Sequence, residues 1–199
     1  MLALPPAPAP APRRQLIIGT AFGGAAMAMF FGGMLAIWMR YRNAAPLRAA
    51  SNGDQIKAWM PKGIEVHEVA ANLMLITLVL ACVMAQLAVY SAKRGDRVHV
   101  GLGLGIASVF GLAVLNAQAF EYGQMGVAIK GGIFNSLFYG ITGAFTLLLI
   151  LLLVATAVTA FRYLGGRTQD REVVSALALF WYISTAVYIA VWFIVYVTK

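Results

Sequence analysis

Two histidines, one cysteine and seven acids are all that this 199-residue chain offers for metal, redox or acid-base chemistry. His67 and His99 stand at the starts of two successive apolar stretches, which places them on opposite faces of a bilayer. They are therefore unable to ligate one haem together, and neither has a second histidine on its own face to hold copper. Glu65, His67, Glu68 and Glu121 have the ligand chemistry for a metal site on one face. Three of the four, however, crowd into one helix entry, where solvated carboxylates already favour the positive end of the helix dipole. Cys82 lies in the middle of an apolar stretch, forms no CxxC pair and has no second cysteine to bridge, so it reads as buried filler.

Glu121 is different. It is the only acid within reach of an apolar core, in the run Asn116-Ala-Gln-Ala-Phe-Glu-Tyr-Gly123. One reading is an interfacial acid that snorkels into water. The other is an anchor for a neighbouring helix, a loop or a lipid headgroup.

The elements that must position these residues are five long apolar stretches, at 16–39, 69–92, 100–120, 133–161 and 173–198. Each meets the roughly 20 residues that a helix needs to cross about 30 Å of hydrocarbon. Segments so long and so continuously apolar satisfy their backbone as α-helices, not as alternating barrel strands. With 61% apolar and 11% charged residues and a mean hydropathy of +0.81, the composition is that of a membrane protein. The expected fold is all-α: a disordered Pro/Ala tail over 1–14, then a five-helix transmembrane domain over 15–199. The first apolar run is too long for the core of a cleaved signal peptide. The net charge of +8 comes from 15 Lys and Arg scattered over loops and helix ends, so no nucleic-acid partner is implied.

The compact loops on one side carry Lys93, Arg94, Arg97, Arg162, Arg167 and Arg171, and the compact loop on the other carries only Lys130. Six bases against one predict a cytoplasmic N-terminus. The longer segment 40–68 runs against this trend, with Arg40, Arg42, Arg48, Lys57 and Lys62 on the outer side. Glycines recur in the first, third and fourth stretches, where they allow helix backbones to approach closely. Trp38, Tyr41 and Trp59 at one interface, and Phe161 and Tyr163 at the other, fit aromatic belts.

Ser91-Ala-Lys-Arg-Gly-Asp96 closes the second stretch and Gln118-Ala-Phe-Glu-Tyr122 the third. Met29-Phe-Phe-Gly-Gly33 lies in the first, Ser136-Leu-Phe-Tyr139 and Thr142-Gly143 open the fourth, and Trp181 and Val195-Tyr-Val197 fall in the fifth. Together these motifs resemble, over residues 15–199, the five-helix bacterial form of haem-copper (cytochrome c or quinol) oxidase subunit III. Where that family has an acid in the first helix, two histidines in the fourth, and a histidine and an aspartate in the fifth, this chain has Met27, Phe145, Leu148, Tyr182 and Thr185. It is thus a divergent member by this resemblance.

The resemblance implies a non-catalytic accessory subunit of a respiratory oxidase in the bacterial cell membrane. It implies no cofactor in this chain, with haem and copper in the partner catalytic subunit, where oxygen is reduced. The implied partners are catalytic subunit I, other oxidase subunits and phospholipids. Glu121, Gln118, Arg94 and Trp181 are the candidate lipid or subunit contacts, with no catalytic and no metal-binding residue. A small transporter or permease, or a stand-alone membrane scaffold or assembly factor, is the alternative. Transport would call for a polar mid-span site, broken helices or internal repeats.

Overall fold

The computed structural model describes residues 14–49, 55–61, 68–125, 132–167 and 171–198. The Pro/Ala tail, Glu65, His67, Lys130 and Lys199 lie outside the described residues. Five helices run in chain order: α1 (Gln15–Ala44), α2 (Glu68–Arg94), α3 (Arg97–Met125), α4 (Ile133–Leu164) and α5 (Arg171–Val191). The last of these continues into a π-helical turn, Trp192–Val197. A small antiparallel ribbon of β1 (Leu47–Ala49) and β2 (Gln55–Lys57) follows α1, with Arg48 opposite Ile56. All five helices are long and apolar enough to cross a membrane.

The helices overrun the apolar stretches. The 32 residues of α4 rise about 48 Å, against a hydrocarbon layer of roughly 30 Å. Their ends therefore stand in the headgroup layers, where charged residues such as Arg42, Lys93 and Arg162 continue the helix.

The inward faces follow a repeat of 3.5 residues. In α2 the buried positions include Ala71, Met74, Leu78, Ala81, Ala85, Ala88 and Ala92, and in α3 Val100, Leu104, Ala107, Gly111, Val114, Gln118, Glu121 and Met125. Phe138, Thr142, Phe145, Leu149, Leu152, Thr156, Thr159 and Tyr163 continue the same repeat in α4. This spacing is that of left-handed, coiled-coil-like packing. Outward positions are large and apolar: Phe22 is 75% exposed, Val69 81% and Phe161 76%. In a bilayer that surface meets lipid or another membrane subunit.

α2 and α3 are in close contact at Gly103, where an added Cβ would lie 2.9 Å from the Met84 carbonyl oxygen and 3.1 Å from the Ala88 Cβ. The turn between these helices is two residues long. Gly95 adopts φ 74°, its N–H bonds to the Ala92 carbonyl at 3.1 Å, and the Asp96 N–H bonds to the Ser91 carbonyl at 3.0 Å. That is a Schellman termination, which glycine permits at no steric cost. Asp96 then caps α3, accepting the His99 N–H on Oδ1 at 3.1 Å.

α1 packs on α5 and touches α4 along the narrow stripe Gly24, Phe31, Leu35 and Trp38. At its start the Leu16 N–H donates to Glu172 Oε1 at 2.9 Å, so α1 and α5 begin at the same face. The aromatic reading needs correcting for Tyr163, which is 0% exposed on the inward repeat of α4, and for two more residues at the far end of α1. Trp38 is 1% exposed, with Trp59 edge-on at 5.0 Å and Phe134 at 5.3 Å. The residues just after β2 fold Trp59 back over α1, so both indoles pack in an aromatic cluster instead of lining a lipid-facing belt, whereas Tyr41 stays exposed.

Candidate functional site

Glu121 lies one turn from the C-terminal end of α3, on the inward repeat, and is 0% exposed. The snorkelling reading fails on that observation. Gln118, three residues earlier on the same helix, donates its Nε2 hydrogen to Glu121 Oε2 at 2.9 Å. Tyr196, from the π-helical turn that ends α5, donates its hydroxyl to the same oxygen at 2.9 Å. The carboxyl group thus joins α3 to the last turn of α5, as an anchor for a neighbouring helix end.

More bonds of the same kind surround it. Tyr188 donates to the Ala71 carbonyl at 3.2 Å and Trp192 Nε1 to Asn72 Oδ1 at 2.7 Å, tying α5 and its π-helical turn to α2. Tyr122 donates to Thr142 Oγ1 at 2.7 Å, and Thr142 in turn donates to the Phe138 carbonyl, tying α3 to α4. Residues 188, 192 and 196 project along one side of a helix whose final turn is widened, a distortion common where a helix serves a particular contact. Between them these bonds fix four helices at one end of the bundle.

Of the other sequence-derived candidates, Gln118 falls at this site, buried beside Glu121, and the rest lie elsewhere. Trp181 is 0% exposed, wedged against Gly111 with its indole N–H on Thr156 Oγ1 at 3.2 Å, so it is enclosed by this chain's own helices. Arg94 is exposed at the opposite end, beside Lys93, whose ammonium lies 5.7 Å from the Tyr90 ring centroid. The four-residue metal set on Glu65, His67, Glu68 and Glu121 loses Glu121, which is turned into the bundle, and Glu65 and His67 lie outside the described residues. Among the described residues no three His, Cys, Asp or Glu side chains come together. His99 Nδ1 lies 2.6 Å from Asp96 Oδ2 at the α3 cap. The His99 backbone N–H holds the Asp96 carboxyl below the usual carboxylate range.

The sequence alone does not single out Tyr196 as a partner of Glu121; it stands there only within the run Val195-Tyr-Val197. The signal was available: continued along α5, the inward repeat passes through Trp181, Ser184, Tyr188 and Val191 and arrives at this turn. Three of the five positions at which this chain departs from the resembling family make neutral contacts. Tyr182 donates to Gln86 Oε1 at 2.5 Å, Thr185 lies 3.1 Å from Cys82 Sγ, and Phe145 packs on Tyr188 with centroids 4.9 Å apart.

Fold and site together define a polytopic α-helical membrane protein held by an internal polar anchor. Residues 16–199 match the cytochrome c oxidase subunit III family, and the chain belongs to it. It is 24% identical to the cytochrome c oxidase subunit 3 of Corynebacterium diphtheriae, over 84% of this chain and 80% of that protein. It is 26% identical to a probable cytochrome c oxidase subunit 3 of Mycobacterium tuberculosis, over 90% of this chain and 86% of the relative. A probable subunit 3 from Nocardia farcinica is 24% identical, with 92% and 87% covered. The chain is an accessory subunit of a haem-copper oxidase, embedded in a membrane as part of a complex with other oxidase subunits.

Proposed function

We propose that this subunit packs laterally against catalytic subunit I in the bacterial plasma membrane, with its N-terminus cytoplasmic, and holds phospholipid between its helices. The observation that carries this reading is the division of its surface. Polar side chains such as Glu121, Gln118 and Thr156 turn inward, while Phe22, Met29, Val69 and Phe161 project outward along the spans. Such a chain meets its neighbours through apolar faces within the bilayer. α1 supports this further: little of it is buried, and Gly19, Gly23, Gly32 and Gly33 have open space where a side chain would be. An apolar groove of about 300 Å³ between α1, α4 and α5, walled by Leu16, Gly23, Ala155, Val173 and Phe180, suits an acyl chain. The inner bases Arg94 and Arg167 are suited to anionic headgroups.

Site-specific photo-crosslinking tests the lateral contact. A photoreactive residue at Phe22 or at Val69, introduced into the full chain in its native membrane, yields an adduct with the haem-bearing subunit from at least one of the two positions. No adduct from either would overturn the lateral arrangement.

A further inference from the structure

We propose that Glu121 is held in the membrane as a neutral carboxylic acid, making this end of the bundle a proton-binding site. Three geometric observations carry the inference. Glu121 is 0% exposed, so bulk water does not reach a charge there. Both of its donors, the Gln118 amide and the Tyr196 hydroxyl, are neutral, and both fall on Oε2. Oε1 is buried with no hydrogen-bond partner. That asymmetry suits an acid better than a carboxylate: the carbonyl oxygen Oε2 accepts both bonds, and the proton resides on Oε1. A carboxylate spreads its charge over both oxygens and would leave half of it bare in a low-dielectric interior, the costlier of the two states.

Among the described residues no cation is paired with Glu121. The titratable groups close to Glu121 are tyrosines, Tyr122 on α3, Tyr188 on α5 and Tyr196 on the π-helical turn, and α4 contributes Thr142 and Phe138 to the same cluster. From α2 the cluster receives the Ala71 carbonyl. α3 has no base in its last turn, and the π-helical turn has neither acid nor base. The bases described at this end, Arg40, Arg42, Arg48 and Lys57, belong to α1 and the β-ribbon, and none of them is paired with Glu121. The inference rests on the membrane-embedded fold alone, so it stands or falls separately from the arrangement of the oxidase.

Infrared spectroscopy of the full chain in lipid nanodiscs tests it. At about pH 7, well above the roughly 4.3 at which a free glutamate titrates, the wild type shows one protonated-carboxyl C=O band. That band shifts when glutamate carboxyls are isotope-labelled and disappears in Glu121→Gln. Absence of the band at this pH, or its survival in Glu121→Gln, overturns the proposal. If Glu121→Gln does not fold, the labelled wild-type spectrum decides alone: a glutamate acid band supports the neutral carboxyl, and carboxylate bands without it refute it.

Discussion

The Tyr196 hydroxyl donates to Glu121 Oε2 at 2.9 Å, joining the last turn of α5 to α3 some 75 residues earlier in the chain. Removing one side of such a buried pair strands the other. Tyr196→Phe keeps the ring that meets Phe138 edge-on at 6.1 Å and deletes only the donor, so it should destabilise the chain by about 1–3 kcal/mol. Glu121→Ala should cost a similar amount by stranding Gln118 and Tyr196 together, and it should lower retention of the chain in the purified complex after a detergent wash. Glu121→Gln, which keeps the shape and an acceptor, should be mild. Thermal unfolding in detergent, beside the retention assay, checks all three; equal behaviour of every variant and wild type would reduce the pair to a bystander.

Gly103 sets how closely α2 and α3 approach. A leucine there would drive its Cβ into the Met84 carbonyl, so Gly103→Leu should lose about 1–3 kcal/mol through forced separation of the two helices. Gly105, two residues on, has nothing within 4 Å of an added Cβ. Gly105→Ala should be neutral or stabilising, since alanine is the better helix former by roughly 1 kcal/mol. Unfolding midpoints of the two variants should therefore move in opposite directions or differ clearly in size.

The Asp96 cap makes the start of α3 sensitive to acid. Its carboxyl is held below its ordinary value, first by the His99 backbone N–H, so the folded state binds its proton less readily than the unfolded state does. The capping contribution is present above the ordinary aspartate range near 3.9 and is lost as pH falls through the lower folded value. Measured against their intrinsic exchange rates, the first-turn amides of α3 should lose protection in that acid range. In Asp96→Asn, whose amide oxygen caps without titrating, this loss of protection should be absent.

Orientation is open to cysteine labelling in a Cys82→Ala background. Arg94→Cys, exposed at the α2 end, should react only with a reagent that crosses the membrane, and Leu47→Cys, 62% exposed on β1, with one that does not. The reverse pattern would place the N-terminus outside.

The five spans were readable because a run of about 20 apolar residues has few other uses. The inward faces were harder to see. Lipid is as apolar as a protein core, so hydrophobicity alone does not separate Val69, which faces out, from Ala71, which faces in. The informative residues are the small and polar ones at 3.5-residue spacing, such as Gly111, Gln118 and Glu121. Glu121 stands out as an acid, but its partner does not, because Tyr196 lies on a different helix 75 residues further along the chain. The β-ribbon escaped notice for another reason: strands of three residues are too short to set up an alternating pattern. The α2–α3 turn was written out in Gly95-Asp96, a helix-ending glycine followed directly by a helix-starting aspartate.

Purification of the full chain, tagged at its C-terminus and drawn from native membranes in mild detergent, tests most directly that it is a subunit of a haem-copper oxidase. The account predicts that a haem optical spectrum co-elutes with the chain through affinity and size-exclusion steps, with the haem-bearing catalytic subunit in the same peak. A colourless chain eluting alone, from membranes whose oxidase remains intact in another fraction, would contradict it.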